Sequence, residues 1–141
     1  MSVKDRNESA VRRMREKAFE RINNKCILWS EDVLIEELNI AEEVVEEFRH
    51  CFIYYSANGN KYYPSFQVGK LSVLHEMADD LQINLEQDTE RNSFLQFLVD
   101  KMNYSDYYEK DNLVPRYSLL GDTDAVRIIK RDWINRFDMG Q

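Results

Sequence analysis

The side chains best suited to covalent or metal chemistry are two cysteines and two histidines: Cys26, Cys51, His50 and His75. A cysteine beside a histidine can act as a nucleophile, and all four side chains are also zinc ligand types. Their spacing argues against both uses. His50 and Cys51 are neighbours, which point about 100° apart on a helix, and none of the close ligand pairs of structural zinc sites occurs. We therefore expect no enzyme, no metal, no cofactor and two reduced thiols.

Carboxylates form the most concentrated charged feature of the sequence. Residues 30–52 hold eight Asp or Glu against a single basic residue, Arg49. Four of these acids lie at helical spacing and form a candidate partner-binding face: Glu42, Glu43, Glu46 and Glu47. Like charges four residues apart mildly destabilise a helix, a cost that a facing basic surface would offset. That surface could be the chain's own first helix, a second copy or a foreign protein; simple solvation of the face is the alternative.

A basic arm and a set of tyrosines supply the other candidate contacts. Residues 1–25 hold eight Lys or Arg against four Asp or Glu, although the whole chain carries a net charge of −7. That net charge makes nucleic acid a doubtful main partner. The cations that would contact nucleic acid under that alternative are Arg12, Arg13, Arg15, Lys17 and Lys61. The tyrosines that would join the carboxylates in binding a protein are Tyr54, Tyr62, Tyr107 and Tyr108.

Helical periodicity predicts the elements that position these surfaces. A first helix is expected from Glu8 to Asn24. Its buried stripe is predicted to contain Val11, Met14, Ala18 and Ile22. Ser30 is expected to cap a second helix, Asn39 to supply a left-handed turn, and a third helix to run from about Ala41 to Cys51. The apolar residues expected to meet between these two crossed helices are Leu34, Leu38, Ile40, Val45 and Phe48.

The remaining sequence predicts a hairpin and three further helices. Asn58-Gly59 between two aromatic runs is typical of a two-residue hairpin turn. Pro64 to Gly69 is expected to be a linker, and residues 103–121 a loop. The helices are predicted from a Ser72 cap to about Ile83, from Glu90 to Met102, and from Asp122 or Thr123 to about Phe137.

These elements define the expected fold class and domains. We expect a mostly α protein, with a winged helix-turn-helix-like module that has one short β-hairpin, followed by a small three-helix bundle. The domains would be a basic N-terminal helix at 1–29, the helix-turn-helix plus hairpin at 30–63, and a C-terminal helical domain at 64–141 that shares a core with it. The sequence lacks an apolar run of membrane-spanning length and an apolar signal region, so we expect a cytoplasmic protein without membrane contact.

Three ordered motifs resemble those of a known family. They are the junction from Pro64-Ser-Phe66-Gln67 through Gly69 to Val73-Leu74, the helical pair Phe94-Leu95, and Leu119-Leu120-Gly121-Asp122 followed by Ala125-Val126. The junction is similar to that of the Xre–MbcA–ParS antitoxins, which join a helix-turn-helix to a helical toxin-binding domain. The resemblance covers about residues 30–133, with Phe66 in place of a typical tryptophan. It implies a partner of the RES-domain toxin type, an NAD-consuming enzyme, and self-association into a homo-oligomer.

The charge pattern and the resemblance lead to one main functional hypothesis and two alternatives. The main hypothesis is a non-enzymatic regulator that neutralises or docks a basic protein through an acidic, tyrosine-rich surface. The first alternative is a transcriptional regulator that binds DNA through the basic N-terminal helix. The second is an acidic inhibitor of phage or immunity type that imitates nucleic acid. Four carboxylates on a helix that would enter the major groove argue against ordinary operator binding.

Overall fold

The computed structural model describes residues 3–103 and 113–136 of the 141-residue chain, and these are mostly helical. The α-helices of the described residues are α1 Val3–Lys25, α2 Glu31–Leu38, α3 Glu42–Phe48, α4 Leu71–Asp80, α5 Asp88–Val99 and α6 Thr123–Asn135. The strands are β1 Leu28–Trp29, β2 Tyr55–Ala57, β3 Asn60–Pro64, β4 Lys101–Asn103 and β5 Leu113–Pro115. Short 3-10 turns cover Arg49–Cys51, Ser65–Gln67 and Arg116–Leu119.

The predicted caps of α2 and α6 are confirmed, whereas the first helix begins at Val3 and not at the predicted Glu8. Ser30 caps α2 by accepting a hydrogen bond from Val33 N at 3.4 Å, and Asn39 ends the helix with a φ of 54°. Asp122 caps α6 by accepting from the backbone N of Asp124 and Ala125. The predicted Ser72 cap is wrong, because α4 already begins at Leu71.

The predicted hairpin is confirmed and forms part of a larger sheet. Asn58 and Gly59 have φ values of 54° and 78°, the doubly left-handed geometry of a two-residue type I′ turn between β2 and β3. The two-residue β1 adds to the other edge of β3, so the antiparallel sheet has the order β1-β3-β2. The sequence prediction missed β1 because two residues carry no alternating pattern.

The prediction of a single hairpin is wrong, because β4 and β5 form a second antiparallel pair. The helix predicted to reach Met102 ends at Val99, and Met102 is instead the buried central residue of β4. Part of the segment expected to be a loop is therefore a strand and a 3-10 turn. The sequence hides these strands because three residues give one alternation at most, and the helical period of α5 continues through them.

Two apolar clusters hold the described part of the chain together. The larger one joins Ile22 of α1 and residues of the hairpin to α4, α5 and α6, with Phe94 and Leu98 fully buried at its centre. The smaller one lies under α2 and consists of Leu34, Phe52 and Tyr63. The N-terminal half of α1 extends beyond both clusters.

Three apolar residues predicted to be buried are exposed instead. Phe48 leaves 46% of its surface in water, because it is the last residue of the short α3 and the following 3-10 turn redirects the chain. Val11 and Met14 of α1 are also exposed, Met14 by 70%, because the helix runs past the core that buries Ile22. Leu34 and Val45 are buried as predicted.

Three polar side chains attach the hairpin to the C-terminal half, and we call them the backbone clamp: Gln67, Arg91 and Asn92. Gln67 bonds both N and O of Ile53, at 2.9 and 2.8 Å. Arg91 Nε donates to Tyr54 O at 2.5 Å. Asn92 bonds both N and O of Ser56 at 2.9 Å. Asn92 thus satisfies the outer backbone edge of β2 at Ser56, which an unpaired strand would leave open to other chains, and Gln67 and Arg91 hold the two residues that precede the strand.

Candidate protein-binding surface

The exposed carboxylates of α2 and α3 form one continuous stretch of the chain, which we call the acidic face. Its members are Asp32, Glu36, Glu37, Glu42, Glu43, Glu46 and Glu47, all exposed. Glu42 and Glu43 occupy the first turn of α3, where the partial positive charge of the helix N-terminus favours anions. Glu46 and Glu47 lie one turn further on, so the repulsion at the four-residue spacing acts between the two pairs.

A single cation of the described chain neutralises part of this face. Arg49 pairs with Glu31 at the start of α2 and, at 2.9 Å, with Glu46 near the end of α3. The Tyr63 hydroxyl donates to the other oxygen of Glu31 at 3.3 Å. In residues 3–103 and 113–136, none of the other carboxylates of the acidic face forms an ion pair. The face therefore keeps most of its negative charge available for a partner.

Two apolar side chains of α2 and α3 are also exposed. Phe48 ends α3 on the side of its apolar residues Val44 and Val45, and Val33 lies in the first turn of α2 with 37% of its surface exposed. Protein-binding surfaces commonly combine aromatic or aliphatic anchors with charged residues. The exposed carboxylates and these two apolar side chains therefore have the composition of a contact surface for a basic protein.

The basic residues of α1 do not neutralise the acidic face of the same chain. Arg12, Arg13, Arg15 and Lys17 are all exposed, and no ion pair joins them to any other residue in the described part of the chain. Arg12 and Arg15 instead lie beside the turn at Asn58, with which they line a shallow depression. Within the described residues, the chain's own first helix therefore forms no ion pair with the acidic face.

The predicted tyrosines have mixed positions. Tyr54 is half-buried between the Arg91 guanidinium, 3.7 Å from its ring centroid, and the Lys61 ammonium at 4.8 Å. Tyr62 packs on Phe19, with 4.6 Å between ring centroids. Both side chains are therefore partly buried in contacts within the chain. Tyr107 and Tyr108 lie outside the described residues.

The cysteines and histidines lie closer together than their sequence spacing predicts. Cys51 Sγ is 3.5 Å from His50 Nε2, because both residues belong to a 3-10 turn and not to the α-helix assumed above. His75 Nε2 contacts the carbonyl of Cys51 at 2.6 Å and is held there by the backbone. Cys26 donates to Ile22 O inside the main cluster. The described residues include no group of three or more side chains arranged to hold a metal.

Two raised pKa values predict that the protein loses stability in alkali. Burial raises the pKa of Cys26 to about 11, and burial together with Glu31 raises the pKa of Tyr63 to about 12. Because both groups ionise more easily in the unfolded chain, stability is full below the unfolded pKa values and falls as pH rises from about 9 to 12. We expect urea unfolding to show this decline. Cys26→Ala should remove its lower part, near pH 9–11; an unchanged slope in that variant would contradict the assignment.

Comparisons with known proteins give no relative for this chain: no family model, curated protein or solved structure matches it. No helix of the described residues combines the length and apolar character needed to cross a bilayer.

Proposed function

We propose that this chain is a non-enzymatic regulator that binds a basic protein through the acidic face of α2 and α3. The observation that carries the proposal is the set of seven exposed carboxylates on α2 and α3, of which Glu46 alone forms an ion pair within the described residues, together with the exposed Phe48 at the end of α3. Carboxylates clustered on a rigid element attract a positively charged partner and raise the rate of encounter. The apolar anchor then supplies contact area that charge alone does not.

The arrangement of elements supports a winged-helix-like scaffold for this role. The order α1-β1-α2-α3-β2-β3, with a sheet ordered β1-β3-β2, agrees with the outline of a winged helix in which α3 is the exposed helix. In a DNA-binding protein such a helix enters the major groove, where the carboxylates of α3 would repel phosphates. The same scaffold with an acidic α3 suits a basic polypeptide. The resembled antitoxins bind toxin through the helical domain that follows the junction, so the resemblance supplies only the partner class, a RES-type toxin, and the charge of α2 and α3 is the ground for the contact surface.

The binding proposal predicts a charge-dependent loss of partner capture. We expect the tagged chain, co-expressed with the products of its neighbouring genes, to retain a protein with a basic surface. Glu43→Lys with Glu47→Lys should reduce retention at least tenfold, because the net charge of the seven-carboxylate face falls from −7 to −3 and two cations face the basic partner. The control, Glu76→Lys with Asp124→Lys, changes the net charge equally at exposed positions on α4 and α6 and should retain the partner. Equal retention by both variants would refute the role of the acidic face.

Binding to DNA is the second candidate function, and one observation favours it. Arg12 and Arg15 lie beside the hairpin turn at Asn58, so two cations of α1 flank the tip of the hairpin. This function predicts a mobility shift with random duplex at low salt that weakens steeply as salt increases. We expect no such shift from the wild-type chain at about 50 mM salt, where phosphate contacts are strong. A shift that Arg12→Glu with Arg15→Glu abolishes would establish the second candidate.

A further inference from the structure

The N-terminal half of α1 is a helix that the described part of its own chain leaves uncovered. Residues 3–17 carry six Lys or Arg against three Asp or Glu, and we call them the basic arm. Val3, Val11 and Met14 are exposed along it, whereas Ile22, further along the same helix, is fully buried. An isolated helix of this length is marginal in water, so packing against another surface would stabilise it.

The basic arm and the acidic face are complementary in both charge and composition. Each carries an excess of one sign, and each displays apolar side chains: Val11 and Met14 on the arm, Val33 and Phe48 on the face. No ion pair connects them within one described chain. Two surfaces of one sequence that match each other but do not meet in one molecule can meet between two copies.

We propose that two copies of this chain form a reciprocal dimer, in which the basic arm of each lies on the acidic face of the other. This inference rests on the protein-binding role given above to the acidic face, and it names a second copy as the occupant. A two-fold arrangement makes both contacts at once and closes the assembly, so that neither surface is left to recruit further copies. A foreign basic protein must then displace the arm, and dimerisation regulates access to the face.

Charge disfavours the simpler arrangement in which two arms pair along their apolar stripes. Two arms side by side would bring together segments of the same positive sign, which repel at moderate salt. An arm on an acidic face gains attraction along its length and also covers the exposed Met14. The dimer should consequently weaken as salt rises, whereas apolar pairing of two arms would strengthen.

Charge-reversal variants provide the test. The arm variant is Arg12→Glu with Arg13→Glu, and the face variant is Glu43→Lys with Glu47→Lys. The matched control is Arg127→Glu with Arg131→Glu, two exposed cations four residues apart on α6. Sedimentation velocity of the full chain at about 50 mM and about 500 mM NaCl measures the association, since screening changes several-fold over that range. Circular dichroism verifies that each variant is folded.

We expect a wild-type dimer that dissociates at high salt, and a control that behaves identically. The arm variant changes the net charge of the basic arm from +3 to −1, and the face variant changes that of the acidic face from −7 to −3. Each variant should raise the dissociation constant at least tenfold, the arm variant more than the face variant. A monomeric wild type, or variants that dimerise as tightly as the wild type, would each overturn the proposal.

The same variants separate this inference from the proposed function. The arm variant keeps its acidic face, so it should still capture the foreign partner even though it no longer dimerises. A monomeric wild type whose capture depends on Glu43 and Glu47 would refute the dimer and leave the proposed function intact. A salt-sensitive dimer that captures the partner equally well with and without those glutamates would refute the proposed function and leave the dimer intact.

Discussion

Replacing Arg91 with leucine is expected to lower the free energy of unfolding by about 3 kcal/mol or more, because removal of a buried charged partner leaves its acceptors unpaired. The Arg91 side chain is 1% exposed. It donates to the carbonyls of Tyr54 and Leu85, pairs with Asp88, and lies over the Tyr54 ring. Leucine fills part of the volume but supplies no donor. Urea unfolding followed by circular dichroism measures the difference.

A matched control is available in the same protein. Arg127 pairs with Asp124, three residues before it, just as Arg91 pairs with Asp88, but its side chain is 78% exposed. Arg127→Leu should therefore cost about 0.5 kcal/mol or less, as exposed ion pairs do. Similar losses in the two variants would show that the ion pair at this spacing, and not the buried bonds to Tyr54 and Leu85, explains the role of Arg91.

The contrast between these two arginines shows what the sequence can and cannot predict. Both occur in helices, and both follow an aspartate by three residues. Arginine is rarely buried, so a sequence pattern assigns both to the surface. The buried position of Arg91 depends on the hairpin that lies against α5, a contact between residues 37 positions apart. Local spacing carries no signal of such a contact.

Local signals explain the parts of the fold that were predicted correctly. Ser30, Asn39 and the Asn58-Gly59 turn act on backbone within three residues of themselves, so their roles follow from residue type. β1 and β4 are defined instead by the strands they pair with, Leu28 opposite Pro64 and Met102 opposite Val114. Short strands of this kind have no period of their own. The sequence therefore predicts no strand at β1 and the end of a helix at β4.

The same difference between local signals and tertiary contacts decides which parts of the candidate binding surface could be predicted. The acidic face could be predicted because exposed carboxylates at helical spacing require no tertiary contact to define them. The exposure of Phe48 and Met14 could not, since both continue an apolar helical stripe that elsewhere is buried. Their positions at the end of α3 and on the extended part of α1 decide their exposure. Phe48 and Met14, which the sequence wrongly predicts to be buried, add exposed apolar area to the helices that carry the two charged surfaces.

Gln67 belongs to the junction motif that carries the family resemblance. Its replacement is the second change expected to lower the free energy of unfolding strongly. It is 1% exposed, and its amide bonds the backbone N and O of Ile53 and, at 3.0 Å, the O of Pro64. Gln67→Leu should cost about 3 kcal/mol, since each buried group left unpaired costs about 1–3 kcal/mol and neighbouring losses overlap. Chemical denaturation measures this cost; a loss below about 1 kcal/mol would contradict the role of the clamp.

Gln67→Glu distinguishes the contribution of the side chain's shape to stability from the contribution of its amide N–H donors, because glutamate keeps the shape and loses the donors. The carboxylate keeps the acceptor for Ile53 N but cannot donate to the carbonyls of Ile53 and Pro64. Burial should raise the folded pKa of the new carboxyl, so the variant should recover stability as the pH falls and the group becomes protonated. The wild type has no such group at this position. A Gln67→Glu variant with the same stability difference from wild type at pH 5 and pH 8 would show that shape alone matters. If the donors matter, the glutamine of this junction motif is a structural residue, and the motif reports how the hairpin is attached to the helices that follow it.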